Sequence, residues 1–287
     1  MGINFSKVGF TYNPQKKTKK NQYILEDVDL NISEKDEFIC VVGHTGSGKS
    51  TLIQMMNALL VPTVGTVTVD DNEITYKKQK NLKSIRKKVG LVFQFPEYQL
   101  FEETVIKDVA FGPTNFKLDK PVDKAKEALE KLKVDKSFYE KSPFKLSGGE
   151  MRKVAISGIL ASEPEVLILD EPTVGLDPLA RKELISLLRE INEKKTVIIV
   201  THDMNLVWKV ATRVIVLDET KIIYDGNKYD LFKNEEFINK HSLDLPDVVK
   251  ILKELVIKLG LESTDINIYQ DDLKSAYNEL ERVIGHE

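Results

Sequence analysis

The sequence predicts an α/β fold: a parallel β-sheet flanked by helices, with an antiparallel β subdomain, an inserted helical subdomain and a small helical C-terminal extension. Three observations predict it. Five short apolar runs, at 38–42, 89–93, 166–169, 196–200 and 214–217, have the continuous hydrophobic character of strands buried on both faces of a parallel sheet. Three other stretches, Ile3–Phe10, 28–32 and 66–70, alternate apolar and polar residues, the period of half-exposed antiparallel strands. From about 96 to 162 strand signals give way to helical ones, such as 122–132, so a helical subdomain interrupts the sheet.

Taken in chain order, Ile3–Phe10 and 28–32 form the first two strands, and the polar, lysine-rich connector at 13–21 reads as a solvated hairpin loop. The run at 38–42 leads directly into the glycine-rich segment Gly43-His44-Thr45-Gly46-Ser47-Gly48-Lys49-Ser50, and a helix is expected from Lys49 to about Leu60. Strand 66–70 and buried strand 89–93 follow, the latter ending at Gln94. After the helical insertion the buried strands return, and Pro246 precedes two amphipathic helices at about 247–259 and 271–284. The second places Leu273, Ala276, Tyr277, Leu280, Val283 and Ile284 on one face. The expected division is 1–229 for the main domain and 230–287 for the extension.

Bulk properties exclude several classes. A 287-residue chain with 41% hydrophobic and 30% charged residues can bury a full core and is not disordered. A net charge of −3 gives no pull toward nucleic acid, and nucleic acid is not an expected partner. No apolar run approaches the roughly 20 residues that cross a bilayer, and residues 1–5 alternate like a strand rather than forming a signal-peptide core. The lone Cys40 lies inside an apolar run and reads as a small core residue in a reducing compartment.

The glycine segment carries the first chemistry. A triphosphate is a dense anion, and consecutive backbone N–H groups at a helix N-terminus can enclose it. Gly43, Gly46 and Gly48 let the backbone approach, with His44, Thr45 and Ser47 between them and Thr51 in the first helical turn. Lys49 supplies a point charge for the β- and γ-phosphates, and Ser50 a hydroxyl for Mg²⁺. The strand at 166–169 ends in two carboxylates: Asp170 is placed to hold the Mg²⁺ shell, and Glu171 to orient and deprotonate a water. Gln94 ends its strand where it can reach Mg²⁺ and that water, and His202 follows strand 196–200 where it can reach a γ-phosphate. A single histidine after a strand is ordinarily structural; its place downstream of Asp170 and Glu171 gives His202 weight. Asp177 lies in the turn Gly175-Leu176-Asp177-Pro178, while His241 and His286 carry no signal.

With Leu146-Ser147-Gly148-Gly149-Glu150 between the glycine loop and the carboxylate strand, the motif set resembles the ATP-binding-cassette (ABC) ATPases over roughly residues 1–230. The resemblance implies a P-loop NTPase (RecA-like) core that binds and hydrolyses ATP with Mg²⁺. It implies that Tyr12 stacks on adenine, although a strand-end tyrosine on a half-exposed face is the plainer alternative. It also implies that two cassettes sandwich two ATP molecules head to tail. Ser147, Gly148, Gly149 and Glu150 would then serve the ATP held by the partner, with Asp177 coupling the two sites. Ser147 can equally cap the helix beginning near Glu150.

The wording Phe93-Gln94-Phe95-Pro96-Glu97-Tyr98-Gln99-Leu100-Phe101-Glu102-Glu103 and Gly149-Glu150-Met151-Arg152-Lys153 is similar to the cassettes of energy-coupling-factor (ECF) importers, closest to the second of their two paralogues. This implies a peripheral ATPase on the cytoplasmic face of a bacterial cell membrane that powers uptake of a vitamin or transition-metal ion. Its implied partners are a paralogous cassette (or a second copy), a transmembrane coupling protein and a substrate-binding membrane protein. A C-terminal extension that aids pairing matches 230–287, and the segment 95–101 would meet the membrane partner. Two alternatives stand beside it: the cassette of a conventional binding-protein-dependent importer, and a soluble ABC protein of translation or DNA repair. Against the last, the chain has one cassette, and fewer than a hundred positions separate Lys49 from Ser147, too few for a long coiled coil.

Overall fold

A computed structural model of the chain describes residues 2–14, 23–32 and 36–258, and beyond these only 269, 274, 275, 277, 278 and 281. Most of the connector at 13–21 and of the amphipathic helix at 271–284 lies outside the described residues.

The alternating segments form one antiparallel sheet. β1 (Ile3–Phe10) pairs with β2 (Leu25–Ile32) on one side and with the later β4 on the other, Phe5 standing opposite Leu30 and Val67. The register shifts between Phe5 and Val8, where Lys7 adopts a left-handed φ of 47°. This bulge changes the parity of the strand, so Ile3 and Phe5 before it and Val8 and Phe10 after it all face the core. β3 (Phe38–Gly43) leaves for the second sheet and is followed by α1 (Lys49–Met56). The chain then returns through β4 (Val64–Val69) and the short β5 (Asn72–Ile74), giving the order β2-β1-β4-β5. α1 is shorter than expected. It stops at Met56 because the Asn57 side chain bonds the carbonyl of Val89 and Ala58 turns into a left-handed φ of 56°.

α2 (Leu82–Lys88) leads into β6 (Val89–Val92), which ends two residues before Gln94; Phe95, at φ 55°, then opens a 3₁₀ turn at Pro96–Gln99. The helical subdomain packs α3 (Val105–Asn115), α4 (Pro121–Lys131) and α5 (Gly148–Leu160) against one another. α3 starts where Thr104 accepts the amide hydrogen of Lys107. Beyond it come β7 (Val166–Asp170), α6 (Pro178–Asn192), β8 (Thr196–Val200), α7 (Met204–Val210) and β9 (Arg213–Asp218). β10 (Lys221–Asn227) folds back antiparallel on β9 as an edge strand, with Ile222, Ile223 and Tyr224 half-buried and its Asp225-Gly226-Asn227 end lacking a strand signal. The larger sheet has the order β10-β9-β3-β8-β7-β6, parallel from β9 to β6.

Continuous apolar strands let this sheet bury both faces. Cys40, Val42, Leu167, Leu169, Val197 and Ile199 point to the layer formed by α3 to α7, whereas Ile39, Val41, Ile168, Ile198 and Val200 meet α1 and the antiparallel sheet. Burial pushes the Cys40 thiol well above its usual range, so it is an inert core group as expected. The chain ends in α8 (Lys228–Lys233), α9 (Glu235–Lys240) and α10 (Asp247–Lys258). Leu231, Phe232, Ile238 and Val249 of these helices belong to the same buried cluster as Leu167 and Ile199. His241, silent in the sequence, brings Nδ1 to 2.7 Å from Asp218 Oδ2 and pins the end of α9 to β9. Among the described residues no helix is long and apolar enough to cross a membrane.

Candidate nucleotide site

Parallel pairing aligns the strand ends. Val41 and Asp170 both stand level with Val200, and Leu169 is level with Val92. The loop after β3, the end of β7, the link after β8 and Gln94 after β6 therefore share the carboxyl edge of one sheet, where open α/β sheets bind ligands.

The glycine loop is seated by two close approaches. Gly43 has φ 142°, and a Cβ there would lie 2.1 Å from the Leu217 carbonyl oxygen of β9. Gly48 has φ 101°, and its Cβ would meet Leu25 Cδ2 at 2.7 Å and the Ile24 carbonyl at 2.8 Å. No other residue fits either place. Between them the Ser47 amide donates to the His44 carbonyl at 3.1 Å, closing a turn that leaves His44, Thr45 and Gly46 exposed and Thr51 buried in the first turn of α1. The N–H groups of that first turn have no partner within the helix and point toward the loop. Lys49 Nζ donates to the Gly43 and His44 carbonyls at 2.8 and 2.6 Å, so the ammonium sits inside the loop. Burial lowers its pKa, while the charges of Glu171 and Asp170 oppose that shift.

Ser50 Oγ donates to Asp170 Oδ2 at 2.8 Å, bringing the loop and the carboxylate strand together. Burial raises the Asp170 carboxyl; the Ser50 hydrogen bond pulls it down, Glu171 pushes it up and Lys49 pulls it down. A hydroxyl and a carboxylate are the hard oxygen donors that Mg²⁺ prefers beside phosphate.

Glu171 follows at φ 45°, a left-handed conformation unusual for a glutamate, held by its amide bond to the Val200 carbonyl at 2.9 Å. This backbone turns the carboxylate toward the link after β8, where Oε1 lies 2.7 Å from His202 Nδ1. The carboxylate is 13% exposed and the imidazole 72%, so one oxygen is sheltered beneath an accessible ring. Among the described residues three buried side-chain polar atoms have no hydrogen-bond partner: Ser47 Oγ, Tyr139 Oη and Glu171 Oε2. Two of the three are in this site, which is the signature of groups whose partner is a ligand.

Gln94 is exposed just beyond β6, on the strand edge next to β7. Tyr12 is 62% exposed and rests on Phe10 edge-on, with ring centroids 4.9 Å apart, so a face remains open for stacking. Phe10 pairs with Leu25, the residue that packs on Gly48, which sets Tyr12 near the loop. The structure thus brings Lys49, Ser50, Asp170, Glu171 and His202 together through direct bonds and mutual charge.

The segment at 146–150 stands apart. Among the described residues no hydrogen bond or ion pair joins Ser147, Gly148, Gly149 or Glu150 to that group. The helix begins earlier than expected, at Gly148, with Ser147 as its cap. Ser147 Oγ accepts from the Glu150 amide at 3.4 Å, and Glu150 Oε2 takes the Ser147 amide at 2.8 Å. Ser147, Gly148 and Gly149 are exposed, so the N-terminus of α5 faces outward. Asp177 caps α6, accepting from Leu179 and Ala180 at 2.9 and 3.0 Å.

One residue of the site's frame has a role that a motif reading does not give. Arg152 is 7% exposed, grips both carboxylate oxygens of Glu97 at 3.2 Å and donates to the Val174 carbonyl at 2.6 Å. It ties the segment after Gln94 to α5 and to the turn between Glu171 and Asp177. In the sequence it appeared only within the wording Gly149-Glu150-Met151-Arg152-Lys153, with nothing to show that it pairs with Glu97.

The family described as ABC transporter matches residues 25–174. The energy-coupling factor transporter ATP-binding protein EcfA2 of Lactococcus lactis subsp. lactis (strain IL1403) is 50% identical over 88% of each chain. That of Bacillus cereus (strain ATCC 10987 / NRS 248) is 43% identical over 100% of this chain and 99% of the relative. Among solved structures, cbiO1 from Clostridium perfringens, part of the ABC transporter complex cbiONQ, superposes with a TM-score of 0.70 at 34% identity, covering 88% of this chain and 98% of the other. The ATP-binding cassette MJ0796, a dimer bound to ADP and Pi in a post-hydrolysis state, superposes with a TM-score of 0.69 at 31% identity, covering 78% and 98%.

Proposed function

The chain belongs to the ABC transporter family, and on that premise we propose that it is the ATP-binding subunit of an energy-coupling-factor transporter, hydrolysing ATP to power uptake of a vitamin or transition-metal ion. The observation that carries the chemistry is the direct joining, at one sheet edge, of Lys49, Ser50, Asp170, Glu171 and His202. The relatives' names carry the transport assignment.

In this reading the loop 43–51 encloses the phosphates of ATP, with Lys49 exchanging its bonds to the Gly43 and His44 carbonyls for β- and γ-phosphate oxygens. Ser50, Asp170 and Gln94 would hold Mg²⁺, which when bound neutralises charge on the β- and γ-phosphates. Adenine stacks on Tyr12. His202 donates Nδ1–H to Glu171 Oε1, which leaves Oε2, the atom without a protein partner, to accept the proton of the attacking water. The water oxygen bonds the γ-phosphorus, the bond from that phosphorus to the bridging oxygen breaks, and ADP leaves with the electron pair.

The outward-facing N-terminus of α5 supports a role across a dimer. Ser147, Gly148 and Gly149, with Glu150 completing the cap, suit the γ-phosphate of an ATP held by a partner cassette, either a paralogue or a second copy. Asp177 joins the two sites, and the extension 230–287, whose Leu231, Phe232, Ile238 and Val249 share the core of the main domain rather than forming a core of their own, aids pairing. The exposed rings of Phe101 and Phe111 line a cavity of about 320 Å³ with Leu59, Phe93 and Leu100, which suits a helix of the transmembrane coupling protein, and Phe95 and Tyr98 are exposed on the turn just before it. The chain would then sit peripherally on the cytoplasmic face of a bacterial membrane, beside that protein and a substrate-binding membrane protein.

The test is to tag the chain in its own cell, solubilise the membrane in detergent and identify what co-purifies. A second cassette together with two membrane proteins is expected. Recovery with a permease pair and a soluble binding protein, or with no membrane protein, overturns the assignment.

A further inference from the structure

His202 lies on the three-residue link, 201–203, between β8 and α7. The link has little freedom of its own: the Thr201 hydroxyl accepts the Asp203 amide at 3.1 Å, and Asp203 caps α7 through the Leu206 amide at 3.1 Å while pairing with Arg181 of α6. Where α7 sits therefore decides where His202 sits.

The far side of α7 is held by the end of the chain. Lys228, buried at the start of α8, donates Nζ to the Trp208 carbonyl at 2.7 Å. Tyr229 and Phe232 meet the Trp208 ring edge-on, with centroids at 5.3 and 5.5 Å. At the other end of α7, Asn205 and Asp247 form a reciprocal pair. Asn205 Oδ1 accepts the amide of Asp247, the first residue of α10, at 2.7 Å, and Asn205 Nδ2 donates to Asp247 Oδ2 at 2.7 Å. Asn205 is three positions from His202, and its side chain caps a helix on the opposite side of the junction. α10 is seated in turn by buried Val249, Leu252 and Val256.

We propose that residues 228–258 are a positioning element for His202, and that Asn205 and Asp247 are the latch through which the C-terminal segment sets the distance between His202 and Glu171. The proposal rests on the reading of His202 and Glu171 as the water-activating pair. It adds that a partner engaging the C-terminal segment would alter hydrolysis without touching the phosphate loop. Neither latch residue touches substrate; they act through α7.

The test uses the full-length chain paired with its partner cassette, with steady-state ATPase activity measured against ATP concentration. Asn205→Ala and Asp247→Ala should each lower kcat about tenfold, equivalent to about 1.4 kcal/mol, and leave KM for ATP within about twofold. The double variant should be no worse than either single, because one interaction is lost. Asn205→Asp alone sets two carboxylates face to face and should be the most impaired. Asn205→Asp combined with Asp247→Asn keeps the bond from the backbone amide of 247 and re-forms the side-chain bond with donor and acceptor exchanged, and should restore kcat. Both positions are exposed, so melting temperatures should stay within about 2 °C. Wild-type kcat in the single variants, or a loss that the exchange does not rescue, overturns the latch. If His202→Ala also turns over at the wild-type rate, the failure lies in the catalytic reading instead.

Discussion

Ser50 and Asp170 are 120 positions apart, yet the Ser50 hydroxyl donates to Asp170 Oδ2 at 2.8 Å. The bond joins the first turn of α1 to the end of β7 and holds two hard oxygen donors in place. It also holds a buried carboxyl whose pKa burial has raised. The folded chain binds that proton more tightly than the unfolded chain does, so this group's contribution is greatest below the ordinary aspartate range and is lost as pH rises through its raised value. Asp170→Asn keeps an acceptor for Ser50. It should make the nucleotide-free chain more resistant to urea at neutral pH, with the difference vanishing below about pH 4. Mg²⁺-dependent ATPase activity should fall at least about a hundredfold.

Glu171→Gln keeps the shape and a partner for His202 but removes the base. ATP binding should persist while turnover falls by about 10² to 10⁴-fold, and ATP should trap a stable dimer visible by sedimentation. Rapid turnover in this variant would remove Glu171 from its role.

Lys49 holds its loop through the Gly43 and His44 carbonyls, so it organises the site before any phosphate arrives. Lys49→Ala should abolish nucleotide binding in a titration, with circular dichroism unchanged. Retained affinity would refute the phosphate assignment.

Ser147 presents a double role that one substitution separates. Asp is as good a helix cap as Ser, and in a Glu150→Gln background, which removes the carboxylate that takes the Ser147 hydroxyl at 2.8 Å, Ser147→Asp should leave stability within about 0.5 kcal/mol. A carboxylate facing the partner's γ-phosphate should nonetheless block ATP-driven dimerisation. Ser147→Ala should do the reverse, lowering stability by about 1 kcal/mol while dimerisation is weakened less. Equal dimerisation in wild type and Ser147→Asp, followed by light scattering with ATP, would reduce the segment to a cap.

The main elements were readable in the sequence wherever the signal is local. Apolar runs identified β3, β6, β7, β8 and β9 because a doubly buried strand needs every side chain hydrophobic, and glycines marked a loop whose φ values only glycine reaches. Edges and boundaries were not readable. β10 is an edge strand with an apolar run of only three residues, 222–224, and α1 stops where Asn57 finds a carbonyl on β6.

Residue types and their order determined that a nucleotide loop, a carboxylate strand, a histidine link and a Ser-Gly-Gly helix start all exist in this chain. Only the tertiary structure decided that Glu171 is turned by a left-handed backbone so that one oxygen meets His202 and the other meets no protein group. It alone decided that Arg152 ties Glu97 to Val174 and that Asn205 is latched to Asp247. Such pairings depend on distances between elements that parallel strand register sets, and a linear pattern of hydrophobicity carries no record of which polar atoms that register brings within hydrogen-bond reach.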